Sequence, residues 1–107
     1  MVIDIETVSL IVKKYVNDVR CLMPVYKVFL YGSYAKNHAT EYSDVDVCFF
    51  LTSFGNEDWD DIMLKLLKIS RKYREIYIEP MVFEVSDLYD DNPFVKEVLR
   101  TGIEIQY

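Results

Sequence analysis

The sequence predicts an α/β (α+β) fold, a small mixed β-sheet with helices packed on it. Three observations carry that expectation. Apolar residues switch repeatedly between helical and extended spacing, giving the element order α-β-α-β-α-β-α-β. Residues 57–74 follow the 3.6-residue period, with acids at one end and bases at the other. Two β-branched and aromatic runs, 25–31 and 44–51, are each closed by glycine or turn chemistry.

In chain order, residues 5–22 place Ile5, Val8, Val12, Val16 and Val19 on one helical stripe, which Pro24 ends. Val25 to Tyr31 is a short apolar run stopped by Gly32, the mark of a buried strand. A short helix from Ser33 to about Asn37 fits the polar stretch that reaches Ser43. Asp44 to Leu51 forms a second strand, followed by the turn residues Thr52-Ser53-Phe54-Gly55-Asn56. Within 57–74, Trp59, Ile62, Met63, Leu66, Ile69 and Tyr73 follow the 3.6-residue period. Residues 75–85 read as a third strand. Asn92-Pro93 supplies an N-cap and a first-turn proline for a helix that stops at Gly102. Ile103, Ile105 and Tyr107 alternate in a short terminal strand. Phe49, Phe50, Tyr26, Phe29 and Phe83 are expected in the core, and Trp59 is expected to anchor the long helix.

The chain has 107 residues, of which 51% are hydrophobic and 15% aromatic. That suffices for one domain, residues 1–107, with a core of its own, and excludes disorder. A net charge of −6 and a pI near 4.7 argue against general nucleic-acid binding, because an acidic surface repels phosphate backbones. They do not exclude one nucleotide taken through a metal. Cys21 and Cys48 have no metal-ligand spacing and sit among apolar neighbours, so both are expected as buried structural thiols. The acidic N-terminus lacks the basic start of a signal peptide, and no apolar stretch approaches 18 residues. A soluble, cytoplasmic protein with no membrane partner is expected.

Two short segments carry chemistry. Leu30-Tyr31-Gly32-Ser33 puts a glycine and a hydroxyl at the end of a strand, where backbone N–H groups can meet a phosphate. Ser43-Asp44-Val45-Asp46 opens the next strand, and period two sets Asp44 and Asp46 on one face. Adjacent acids repel unless a cation sits between them, and Mg2+ beside substrate phosphates is the ready occupant. A plain turn and a capping aspartate remain the alternatives for each segment alone.

Ten residues separate Ser33 from Asp44. Gly-Ser, ten residues, then Asp-x-Asp resembles the signature of the DNA polymerase β-like nucleotidyltransferase superfamily. The run Phe29 to Lys36 with Ser43 to Val47 resembles its minimal nucleotidyltransferase members, the antitoxin halves of toxin–antitoxin pairs whose partner is a helical HEPN protein. The resemblance spans nearly the whole chain and implies a polymerase β-like nucleotidyltransferase fold. It also implies that Gly32 and Ser33 hold phosphate, that Asp44 and Asp46 are catalytic metal ligands, and that Lys36 neutralises phosphate charge. Asn37 stands where many relatives have glycine, which leaves the loop's conformation open. Superfamily enzymes add a third carboxylate from a neighbouring strand. Glu79, Glu84 and Asp87 are the candidates, and Glu79 is chosen because Tyr77-Ile78-Glu79-Pro80 resembles the Ile-Glu-Pro of minimal members. Ser43 is expected to cap the turn into the strand, and the lone His38 to be an exposed loop residue.

The resemblance implies transfer of AMP from ATP with Mg2+, to a hydroxyl of a separately encoded helical HEPN-like partner. The chain's length points the same way, since 107 residues leave no module to hold an acceptor. The alternative is a catalytically silent module that neutralises its partner by contact, and self-association stays open. Two other users of Asp-x-Asp fit less well. A haloacid-dehalogenase phosphatase needs an apolar strand before its first aspartate, but Ala39 to Ser43 is polar. Metal-dependent glycosyltransferases are usually longer.

Overall fold

A computed structural model of the chain describes residues 4–40 and 43–107. Three helices pack on a four-stranded mixed sheet. Helix α1 is Ile5–Arg20, strand β1 Val25–Tyr31, β2 Val45–Leu51, α2 Trp59–Ser70, β3 Ile78–Glu84, α3 Pro93–Thr101 and β4 Ile103–Glu104, with a one-turn 3-10 helix at Val85–Leu88 between β3 and α3. Sheet order is β3-β2-β1-β4. β1 runs antiparallel to β2 and β4, whereas β2 and β3 run parallel, joined by α2 as their crossover.

Side-chain alternation divides the sheet into two faces. Val28 and Leu30 of β1, Val45, Val47, Phe49 and Leu51 of β2, and Ile78 and Val82 of β3 meet α1 and α2 in the larger core. Tyr15 of α1 is fully buried there, its hydroxyl donating to the Leu66 carbonyl of α2 at 2.8 Å and its ring edge-on to Phe49. The opposite face packs Phe29, Cys48 and Phe50 against Val95 and Val98 of α3.

Caps explain the helix limits. Asp4 accepts from Thr7 N at the start of α1. Asp58 and Asp61 form a reciprocal capping box on α2, so the helix begins at Trp59 and Glu57 lies outside it. Asn92 caps α3, with Pro93 in its first turn.

Several expectations are corrected. Ser33–Asn37 is a set of turns rather than a helix. One helical turn closes between Lys36 N and Gly32 O, then Asn37 adopts φ +59°, the left-handed conformation that reverses the chain. Asparagine tolerates that region best after glycine, so Asn37 suits the turn. Cys48 is buried but Cys21 is exposed, because it caps the end of α1 beyond the last core residue. Tyr26 is 43% exposed beside a register shift in β1, its carbonyl accepting from the Tyr107 hydroxyl. Ile5 also lies outside the core, in the first turn of α1, and Phe49 and Phe50 enter opposite cores.

Candidate active site

The α3-side face of the sheet is covered at one end by α3 and open at the other, where the acidic residues gather. In the β-ladder Tyr31 of β1 lies opposite Asp46 of β2, and Asp46 lies beside Glu79 of β3. Neighbouring residues in a ladder point to the same face, so these three form a row across the sheet. Asp44 directly precedes β2, and its charge acts on both Asp46 and Glu79. Three carboxyls thus converge.

Gly32 follows directly on Tyr31 at φ +72°. A Cβ there would fall 2.2 Å from Asp46 Oδ2, so the glycine lets the aspartate lie against the backbone of the turn. Ser33 is half-buried, and its carbonyl accepts from His38 N at 2.8 Å. Lys36 pairs with Glu97 of α3 at 3.4 Å. His38 is exposed, and Ser43 Oγ accepts from Thr40 N at 2.9 Å, closing the turn into β2. Glu41 and Tyr42, within the ten-residue spacer, lie outside the described residues.

The other candidates for the third carboxylate stand elsewhere. Glu84 has the alternation of Ile78 and Val82, which places it on the α1/α2 side. Asp87 accepts from Glu84 N at 3.0 Å as part of the 3-10 cap.

Crowding among the acids governs their chemistry. Burial pushes Asp46 up to about 6, with the charges of Glu79 and then Asp44 adding to the shift. Glu79 is raised above the usual carboxylate range, first by its hydrogen bond with Asp44, then by desolvation and by Asp44's charge. Tyr31 is held protonated by burial, and the charges of Asp46, Cys48 and Glu79 act in the same sense. Cys48, two residues on from Asp46, is pushed up to about 12 by burial and is no nucleophile. Among the described residues no lysine or arginine pairs with any of the three acids.

Such a donor set suits a hard divalent cation. Among the described residues no group of three or more His, Cys, Asp or Glu side chains is arranged to hold an ion unaided. Asp44 and Asp46 could each offer a hard carboxylate oxygen, and Mg2+ bound by one or two carboxylates takes the rest of its shell from substrate phosphates and water. The residues therefore fit a cation brought in with a phosphorylated substrate. Tyr31 is the neighbour that sequence reasoning passed over, although its position directly before Gly32 was a signal.

The site therefore sets an acid row beside a Gly-Ser turn at one end of a mixed sheet. The nucleotidyltransferase domain family matches residues 12–102, and the chain belongs to that family. No curated protein matches the chain. Among solved structures it is similar to a Sulfolobus solfataricus protein provisionally assigned as a nucleotidyltransferase, at 18% identity and a TM-score of 0.62, over 90% of this chain and 77% of that one. It is also similar to a chain of a toxin–antitoxin complex with AMP-PNP, at 15% identity and a TM-score of 0.60, over 92% of this chain and 72% of that one. At these identities the likeness extends to the fold.

Proposed function

We propose that the protein transfers AMP from ATP to a hydroxyl of a partner protein. The observation that carries this reading is the convergence of Asp44, Asp46 and Glu79 on one open face, with Gly32 packed against Asp46. Asp44 and Asp46, with Glu79 beside them, would hold Mg2+, which when bound offsets the charge of the triphosphate. Gly32 and Ser33 present backbone N–H groups and a hydroxyl to the outer phosphates, and Lys36 adds positive charge. The acceptor hydroxyl oxygen bonds to the α-phosphorus as the bond to the β-phosphate oxygen breaks, and pyrophosphate leaves. Glu79, whose affinity for protons is raised by Asp44 and by desolvation, takes the acceptor's proton.

Two observations favour a protein acceptor. One similar fold is that of a chain in a toxin–antitoxin complex, and the net charge of −6 steers a basic partner in while repelling RNA. A helical HEPN-like partner is the form this takes in our reading, within the cytoplasm. The same complex also supports a second reading, in which the domain neutralises its partner by contact alone.

Calorimetric titration with AMP-PNP and Mg2+ tests the nucleotide site. Binding is expected in the wild type and at least about tenfold weaker in Asp44→Asn/Asp46→Asn, as removal of paired metal ligands requires. Equal affinity in both would reject the site. Incubation of a co-purified partner with ATP and Mg2+ should add whole AMP masses to it, and Asp46→Asn should stop the addition while leaving the complex intact. A complex whose partner never changes mass would favour the silent module.

A further inference from the structure

Lys36 is the cation that the Gly32-Ser33 turn carries, yet its ammonium is directed at α3. Its backbone N–H donates to the Gly32 carbonyl at 3.1 Å, so it sits one turn from the glycine that touches Asp46. Its Nζ stands 3.4 Å from Glu97 Oε1, and both side chains are nearly half exposed. Glu97 has a second cation. Arg100 Nη2 contacts both oxygens of the same carboxylate, at 2.9 and 2.8 Å. The two partners are held unequally: Arg100 is close to both oxygens, and Lys36 reaches one at longer range.

That inequality has a consequence for exchange. Were Lys36 to leave, Glu97 would keep Arg100 and would not become an unpaired carboxylate. An exposed lysine–glutamate pair is worth little, whereas a charge-assisted bond to a phosphate oxygen is one of the strong ones. The flexible four-carbon stem of lysine permits the move without backbone change.

We propose that Glu97 is a positioning residue that holds Lys36 against α3 in the nucleotide-free protein and yields it to the phosphates of a nucleotide at the Gly32-Ser33 turn. The inference rests on the nucleotide site proposed above. Glu97 then sets the affinity for the nucleotide by competing for one cation, without touching substrate.

Titration of the full chain with AMP-PNP and Mg2+ tests it in the wild type, Glu97→Gln, Glu97→Asp, Lys36→Ala and Lys36→Ala/Glu97→Gln. Removing the competing charge in Glu97→Gln should tighten binding about two- to fivefold, the range an exposed ion pair supports. Glu97→Asp, which keeps the charge, should stay closer to wild type. The double variant should bind no more tightly than Lys36→Ala alone. Unchanged or weaker binding by Glu97→Gln overturns the proposal. So does tightening that persists without Lys36, since that would be the general effect of removing a negative charge. If the wild type binds but these variants do not differ, only the Glu97 role fails. If the wild type binds no nucleotide, the site and this inference fall together.

Discussion

The two faces of the sheet are built from the same three strands and do opposite things. On the α1/α2 side, alternate residues of β1 and β2 are aliphatic or aromatic, β3 is apolar from Ile78 to Val82 before it ends at Glu84, and two helices close over them. On the α3 side the alternation begins apolar at Phe29, Cys48 and Phe50 and finishes at Tyr31, Asp46 and Glu79. One short helix covers the apolar part and leaves the rest open. Each strand is therefore one ladder serving two purposes, and the stability needed to keep like charges together comes from the side packed under α1 and α2. Repulsive groups are tolerated at a site when the surrounding structure determines their positions independently.

The sharpest way to break this contrast is to damage each face in turn. Phe49→Ala, at the centre of the closed face, should cost about 3–5 kcal/mol in urea-induced unfolding, as loss of a fully buried phenylalanine does. A loss below about 1 kcal/mol would show that the closed face does not carry the fold.

Asp46→Asn should act in the other direction. The folded protein holds this proton up to about 6, above the ordinary 3.8, so the native state binds it more tightly than the unfolded chain does. Ionising Asp46 therefore costs stability. The penalty is fully present above about pH 6 and fades as the pH falls toward the unfolded value. Asparagine removes it, so the variant should be more stable than wild type by about 1 kcal/mol at about pH 8, after allowance for solvent screening of a half-exposed group. The gain should vanish near pH 4 in thermal melts. A variant less stable than wild type at high pH would mean that Asp46 is held by attraction and not merely tolerated.

The smallest effect belongs to the sheet's margin. Trp59 Nε1 donates to the Val82 carbonyl of β3 at 3.0 Å. Trp59→Phe removes that bond and should cost about 1 kcal/mol, read from the shift in denaturation midpoint. Equality with wild type would leave the ring's packing as its whole contribution.

The sequence made the strands legible where punctuation was strong. β1 begins just after Pro24 and ends just before Gly32, as expected. It also showed that Asp44 and Asp46 share a face, because period two is local. Helix ends were less legible. Acids and bases flanking α2 read as helix, but Asp58 is the cap, and Lys72 and Arg74 lie beyond the last turn. Tyr15 was missing from the expected α1 stripe because its hydroxyl reads as polar; the buried bond to Leu66 satisfies it. What no local pattern contains is register. That Asp46 lies beside Glu79 depends on how two strands 33 residues apart align, and resemblance rather than periodicity pointed to Glu79. The contact between Gly32 and Asp46, and the pairing of Lys36 with Glu97, are likewise products of strand and helix placement.

The bond from Trp59 has one more implication, at the level of many molecules. Val82 directs its carbonyl away from β2, toward the indole, and Pro80 shares its alternation. The position where proline lacks a donor therefore also faces outward. Along that margin an incoming strand from another molecule meets one missing donor and one acceptor already engaged, a broken template for fibril growth. In concentrated solution, cross-β accretion along β3 is obstructed at two successive rungs, and the opposite border at β4 is left as the side from which this sheet could be extended.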